Sequence, residues 1–260
     1  MKQHLHLLIL LLFALPVEAQ PTLESLLRAV DAAIEDSEQY EKDKMQRITL
    51  IKDGLKVSGL SLEEEYRINL RLYTEYEAYI CDSARHYINR NIELAVRLNN
   101  REWLNESKLK KVHILATSGL YAEGLRLLET INKQHLSDRL LVDYYMAFEN
   151  IYLYYAEYAQ DDEYMPGYLD KMNSYRDSVL MIVPEGSYQY VIVQGPMLIY
   201  HQQPKEAENL LKTYISGVSS DTREYAILTS ILAFTYQNDS QLELQKMCLA
   251  ESAIADNDVS

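Results

Sequence analysis

The side chains that most often bind metals are few in this chain and poorly spaced for that task. Four histidines follow residue 20, namely His86, His113, His135 and His201. None has a second histidine four residues away, the spacing that places two imidazoles on one face of a helix. Cys81 and His86 are five residues apart, so on a helix they point in different directions. The sequence therefore predicts no metal site.

Other signatures of catalysis are also missing from the sequence. Nucleophile elbows, phosphate-binding glycine loops and calcium-loop spacings do not occur. The acidic run at 161–163 could attract a cation, but a loop of like charges is more often simply solvated. We therefore expect a protein that is not an enzyme and that needs no cofactor.

The charge of the chain restricts its partners. It contains 39 acidic and 25 basic residues, for a formal net charge of −14. Such a field repels nucleic acids and anionic membranes. The clustered cations Lys108, Lys110 and Lys111 suit a single solvated helix face. This segment is thus not expected to bind nucleic acid.

Tyrosine is the unusual aromatic residue here, with 22 copies against three Phe and one Trp. A tyrosine combines an apolar ring with a polar hydroxyl, which suits surfaces that bind peptides or sugars. The same properties suit contacts between helical repeats, and for any single tyrosine that second role is the commoner. Six tyrosines on predicted inner helices are candidates for a ligand groove: Tyr66, Tyr73, Tyr144, Tyr154, Tyr190 and Tyr200.

The elements that would position these side chains are helices. Hydrophobic residues make up 48% of the chain, while eight Gly and six Pro provide few turns for an all-β fold. A unit of about forty residues recurs, and it is clearest from Gly119 to Leu128. The repeat positions are Ala84, Gly119, Tyr121, Gly124, Leu128 and Ala207. Capping boxes are predicted at Ser61–Glu64 and at Asp221–Glu224.

This pattern predicts an all-α fold, a tetratricopeptide-like right-handed solenoid of antiparallel helix pairs. About five pairs fill 59–260, after a charged helical segment at 20–58. The final repeat has no polar cap in the sequence, so we expect an uncovered apolar end through which two copies could associate. A disulfide between Cys81 and Cys248 is not expected, because four repeat units separate them.

The N-terminus has the pattern of an export signal. Lys2 precedes an uncharged run from Leu5 to Leu15, and small residues before Gln20 suit cleavage, so the signal is assigned to 1–19. The apolar run is too short to span a bilayer. We therefore expect export to the periplasm, with no transmembrane helix in the mature segment.

Several motifs together resemble a known family. They are the export signal, Ser61-Leu-Glu-Glu-Glu-Tyr66, Tyr79-Ile-Cys-Asp-Ser-Ala84, Ile92-Glu-Leu-Ala95 and Leu249-Ala-Glu-Ser-Ala-Ile-Ala-Asp256. In these the chain resembles membrane-tethered tetratricopeptide regulators of the Bacteroidetes. The resemblance implies a periplasmic repeat domain that in longer members precedes a membrane helix and an output segment. It carries over no catalytic residues.

Two functions remain open from the sequence. The first is a periplasmic sensor whose concave groove binds a protein, peptide or glycan and whose shape responds to that ligand. The second is a passive scaffold within an envelope complex. A hydrolase with unrecognised catalytic residues is a weaker third hypothesis.

Overall fold

The chain folds into an array of helices. The structure, a computed structural model, describes residues 21–159, 161–238 and 241–259, so the predicted export signal and Gln20 lie outside the described residues. Within the described ranges there are twelve α-helices, two short 3-10 turns and no strand. The helices are α1 (Leu23–Glu35), α2 (Ser37–Asp53), α3 (Leu62–Tyr76), α4 (Cys81–Arg97), α5 (Arg101–Thr117), α6 (Tyr121–Glu129), α7 (Asp138–Ala159), α8 (Met165–Leu180), α9 (Tyr188–Tyr200), α10 (Pro204–Ile215), α11 (Arg223–Asn238) and α12 (Leu242–Val259). The predicted all-α class is confirmed.

Ten of these helices form five successive antiparallel pairs, α3/α4, α5/α6, α7/α8, α9/α10 and α11/α12. Each pair packs against the next through α4 on α5, α6 on α7, α8 on α9 and α10 on α11. The first helices of neighbouring pairs also touch, since α5 contacts α7 and α9 contacts α11. This is the predicted helical-repeat solenoid, and α2 packs on its first helix, α3.

A small residue followed four positions later by a large one defines the second helix of three pairs. The small residues are Ala84, Gly124 and Ala207, each the fourth residue of its helix, and the large ones are Ile88, Leu128 and Leu211. All six are buried. Four of the predicted repeat positions, Ala84, Gly124, Leu128 and Ala207, therefore lie in the core, while Gly119 is exposed and Tyr121 is half-buried.

The two glycines of the clearest repeat have different roles. Gly119 adopts a φ of 77° after α5. There its N–H donates to Ala116 O and the next N–H, of Leu120, donates to Leu115 O, which is the Schellman pattern that ends a helix. Gly124 instead makes room, because a Cβ there would lie 2.9 Å from Cδ1 of Ile151 in α7.

The capping predictions have mixed outcomes. At the start of α3 the N–H of Glu64 donates to Ser61 Oγ at 3.2 Å, and the N–H of Ser61 donates to Glu64 Oε2 at 2.9 Å, so this capping box is confirmed. The predicted box at Asp221–Glu224 is wrong. Thr222 Oγ1 caps α11 by accepting from the N–H of Tyr225, while Glu224 accepts from the hydroxyl of Tyr214.

The two ends of the array meet, which the sequence did not predict. Helix α1 packs against α12, the last described helix. A second contact spans the array, since Arg223 Nη1 of α11 lies 3.1 Å from Glu77 Oε1 at the end of α3. The expectation of an uncovered final repeat is therefore wrong for α12, because a helix of the same chain lies on it.

The close approach at Gly124 gives a prediction for stability. Gly124→Ala should change the free energy of unfolding little, because the gain in helix propensity, about 1 kcal/mol, offsets a small shift of Ile151. Gly124→Val should lower it by about 2 to 3 kcal/mol, because the added methyls cannot fit beside buried Ile151 and Val112. Chemical denaturation of both variants tests this. Equal stability of the two would show that α6 and α7 are not held by this contact.

Candidate binding surface

The concave side of the array is identified by the contact between its ends. Glu77 belongs to the first pair and Arg223 to the fifth, yet their side chains form an ion pair. A chain that brings its first and fifth pairs together must curve, and the concave side is defined here as the side on which Glu77 and Arg223 meet. His113 of α5 lies close enough to both residues to be affected by their charges. The face of α5 that carries His113 is therefore on the concave side.

Charged and titratable side chains form a stripe along this face of α5. Its members, at successive intervals of four, four and three residues, are Glu102, Glu106, Lys110 and His113. These intervals place all four on one side of a helix. Residues of α3, α7 and α11 adjoin the stripe, and together these eight residues are called the concave charged surface: Glu77, Glu102, Glu106, Lys110, His113, Arg139, Asp143 and Arg223.

Arg139 of α7 is the centre of one half of this surface. Its guanidinium lies 3.6 Å from Glu102, 3.4 Å from Glu106 and 3.6 Å from Asp143. Three carboxylates around one guanidinium leave this half with excess negative charge. Burial raises the pKa of Asp143, and the charge of Arg139 opposes that shift. This half suits a cationic group of a ligand.

The other half of the surface surrounds His113. Solvent reaches this side chain, yet the protein around it desolvates the imidazole and lowers its pKa. Glu77 acts in the opposite direction, while Arg223 and Lys110 lower the pKa further. The two cations give this half a different charge from the Arg139 half. The concave charged surface thus changes sign once along α5, from negative near Glu102 and Glu106 to positive near Lys110.

Two of the six tyrosines proposed for the groove are structural, which corrects the prediction for them. Tyr66 and Tyr73 are each 1% exposed. The Tyr66 ring stacks on Trp103 at 4.3 Å between ring centroids, and its hydroxyl donates to the carbonyl of Trp103 at 3.2 Å. The Tyr73 hydroxyl donates to the carbonyl of Lys110 at 3.2 Å. A ligand cannot reach either ring, because the contact between α3 and α5 covers both.

The other four candidates are not brought together with those two. Tyr144 contacts Phe148 at 5.0 Å, and Tyr154 stacks on Tyr121 at 5.9 Å, both within an aromatic cluster of α6, α7 and α8. Tyr190 is half-buried in the core between α9, α10 and α11. Tyr200 is 51% exposed and lies at the end of α9. A ligand role for these four stays a prediction.

The potential metal ligands and the two thiols of the described residues are not arranged as a metal site or a disulfide. Across the described ranges no three His, Cys, Asp or Glu side chains converge as a metal ion would require. Cys81 and Cys248 are unpaired thiols, and burial raises the pKa of Cys248 to about 12. In the same part of the chain, no helix is both long and apolar enough to cross a bilayer.

Sequence reasoning missed the concave charged surface because it favoured aromatic residues. One signal was present, the intervals of four, four and three between Glu102, Glu106, Lys110 and His113. That spacing alone describes any solvated helix face. What distinguishes this face is its position opposite α11, and no local pattern encodes that position.

The fold and this concave face define a tetratricopeptide-repeat protein. A solved structure of a thermophilic tetratricopeptide protein from Thermus thermophilus matches with a TM-score of 0.54 and 21% identity, covering 75% of this chain and 90% of the other. At that identity the match shows the fold alone. No functionally curated protein shows significant similarity to the chain.

A family model identifies the chain more closely. The model described as the SusR N-terminal TPR domain matches residues 34–260. The chain therefore belongs to this family of Bacteroidetes Sus-type regulators, and the family resemblance drawn from its sequence is confirmed.

The lowered pKa of His113 gives a prediction for stability against pH. A histidine in an unfolded chain titrates near its ordinary value of 6.5. The folded protein binds a proton at His113 less tightly than the unfolded chain does. The free energy of unfolding should therefore fall as the pH decreases through 6.5 towards the lower pKa of the folded protein. His113→Gln should flatten this part of the profile. Chemical denaturation at a series of pH values between about 5 and 8 measures this pH dependence for both proteins.

A second variant separates this effect from other titrations. His113→Lys places a permanent positive charge beside Arg223 and Lys110. The His113→Lys variant should be less stable than the wild type at a pH above the pKa of His113. Below that pKa its stability should approach that of the wild type. A His113→Gln profile as steep as that of the wild type would show that another group causes the slope.

Proposed function

We propose that this chain is a non-catalytic binding domain of an exported regulator and that its concave charged surface holds a peptide or a segment of a protein. Tetratricopeptide repeats mediate protein–protein contacts, and extended concave faces are the surfaces that such solenoids use. The observation that carries the proposal is the change of charge along one inner face, from the three carboxylates around Arg139 to the cations Lys110 and Arg223 around His113.

A peptide fits this surface better than a glycan. Sugar-binding surfaces rely on exposed aromatic rings on which the apolar face of a sugar can stack, and the two tyrosines nearest α5 are covered. An extended peptide carries charged side chains at chosen positions and can match a negative region followed by a positive one. Electrostatic matching of this kind gives specificity and faster association more than raw affinity.

The domain would act as a sensor if its ligand binds one curvature better than another. The ion pair between Glu77 and Arg223 supports this, because it joins the first and fifth pairs and is exposed enough to break. Such a pair contributes about 0 to 1 kcal/mol, so a ligand that engages Arg223 could replace it at small cost. The alternative is a passive scaffold, in which binding leaves the curvature unchanged.

Binding can be tested with paired variants on one helix. The probes are synthetic peptides with a basic half and an acidic half, the same peptides with every charge reversed, and linear oligosaccharides. We expect one charge pattern to bind the wild type and to bind Lys110→Glu about tenfold more weakly. Lys108→Glu is the matched control, because Lys108 donates to Thr130 beside α6 and does not belong to the concave charged surface. Titration by fluorescence polarisation gives the dissociation constants.

Two results would contradict the proposal. One is binding of oligosaccharides without binding of any peptide, which would favour a glycan. The other is an equal effect of Lys110→Glu and Lys108→Glu, which would place the ligand elsewhere. Small-angle scattering with and without the bound peptide then distinguishes a sensor from a scaffold, since only a sensor changes its dimensions.

The proposed location in the periplasm rests on the N-terminal sequence. The charged start at Lys2, the apolar run and the small residues before Gln20 support cleavage there. Expression of the full chain in a Gram-negative host should yield a periplasmic protein whose first residue is Gln20. Recovery of the intact chain from the cytoplasm would contradict this, and mass spectrometry of the N-terminus decides between them.

A further inference from the structure

Helix α1 is held in the structure chiefly by one neighbour. Its apolar positions Leu23, Leu26, Val30 and Ala33 recur at helical spacing, and α12 is the helix against which it packs. Leu26 is the one residue of α1 that is buried. One buried leucine stabilises a contact less than the buried side chains of each inner helix together do, and the half-buried positions of α1 add little. The attachment of α1 is therefore weak compared with that of the inner helices.

The contact between α1 and α12 is incompletely packed. A cavity of about 220 Å³ lies within it, lined by Val30, Ala33 and Ile34 of α1, Ser37, and Ala253 and Ile254 of α12. Leu27 and Ile34 remain 48% and 64% exposed on α1, and Leu249 remains 47% exposed on α12. Both helices thus present more apolar surface than their present contact covers.

The junction between α1 and α2 is almost helical. Asp36, the single residue between them, has φ −84° and ψ 0°. Its N–H already donates to Ala32 O at 2.9 Å, and its carbonyl already accepts from the N–H of Tyr40 at 3.2 Å. A rotation of roughly 40° about ψ would therefore make one continuous helix from Leu23 to Asp53. In that conformation α1 would leave α12.

The boundaries of the family match point the same way. The match begins at residue 34, so the shared domain includes α12 and excludes nearly all of α1. Helix α1 thus lies almost entirely outside the matched range and joins it at a near-helical junction. A short hinge of this kind, joined to an element with one main contact, is the arrangement that permits exchange between identical chains.

We propose that α1 is exchanged between two copies of this chain, so that each α12 is covered by the α1 of the second copy. The surface for this exchange is already formed within one chain, and the second copy supplies an identical helix. Straightening at Asp36 carries α1 away from its own α12 and extends α2 by the length of α1. The exchange is reciprocal and gives a closed two-fold dimer. It depends on the α1–α12 contact and is independent of the ligand proposed for the concave charged surface.

Single cysteines in two different copies test the exchange directly. In a background with Cys81→Ala and Cys248→Ala, one variant carries Ala33→Cys and the other carries Ala253→Cys, two positions that line the same cavity. The two purified proteins are mixed at high concentration and treated with a short bismaleimide linker. We expect a covalent dimer in the mixture and little in either protein alone. Ser174→Cys, exposed on α8, replaces Ala33→Cys in a control for random collision.

A different outcome of the linking experiment would contradict the exchange of α1. If the double variant, with both cysteines in one chain, is linked internally at every concentration and the mixture gives no more dimer than the Ser174→Cys control, α1 does not exchange. Circular dichroism confirms that each variant is folded before linking.

Variants of the junction test the hinge itself. Asp36 makes no side-chain cap hydrogen bond to α2, so Asp36→Ala loses no cap and favours the straight helix. At each junction the equilibrium constant for forming the straight helix should rise by roughly a factor of three. A dimer contains two junctions, so its association constant should rise about tenfold. Insertion of two glycines after Asp36 should lower it. Analytical ultracentrifugation measures both constants, and no difference between the two variants would overturn the proposed role of the junction.

Discussion

Close approach between the two helices of a pair, and between each pair and the next, is the constraint on which the rest of this structure depends. At Gly124 the absence of a side chain admits Ile151 of the following helix, and Ala84 and Ala207 occupy the same position in their own pairs. With the second helices packed this tightly, the first helices α5 and α7 lie side by side on one face. The concave charged surface exists because that face is continuous from pair to pair.

The same packing gives two of the tyrosines their role. Tyr66 and Tyr73, buried on α3, donate hydroxyl hydrogen bonds to backbone carbonyls of α5, at Trp103 and at Lys110. A carbonyl within a helix has a second lone pair, so it can accept this bond without losing its helical partner. Phenylalanine would fill the same space but would leave the two helices without a directional link. The rings of Tyr66 and Tyr73 therefore pack in the core, while their hydroxyl groups link the first helix pair to the second.

The sequence was sufficient for features that local chemistry determines. The helices, the cap at Ser61, the turn at Gly119 and the buried positions Gly124 and Leu128 follow from spacing and residue type within a few turns of helix. The curvature of the array does not follow from local chemistry, because it is the sum of small angles between neighbouring helix pairs. The sequence therefore could not show that Arg223 lies beside Glu77, 146 residues away, or that α1 lies on α12.

The same limit explains the incorrect part of the site prediction. Tyrosines on a predicted inner helix can point into the groove or into the neighbouring helix, and a shift of one residue, about 100° around the helix axis, separates the two outcomes. Tyr66 and Tyr73 point into α5, which only the register between α3 and α5 decides. The charged residues of α5 were visible in the sequence, but their significance depends on the opposite wall of the groove.

The contact between α1 and α12 also determines the order in which the chain can complete its fold. Ribosomes release a chain from its N-terminus, and domains begin to form as they emerge. Helix α1 is thus the first described helix to be made, while its partner α12 is the last. Until synthesis reaches residues 242–259, the leucines of α1 have no docking site in their own chain. Throughout that interval the apolar side chains of α1 stay accessible to chaperones and to neighbouring chains.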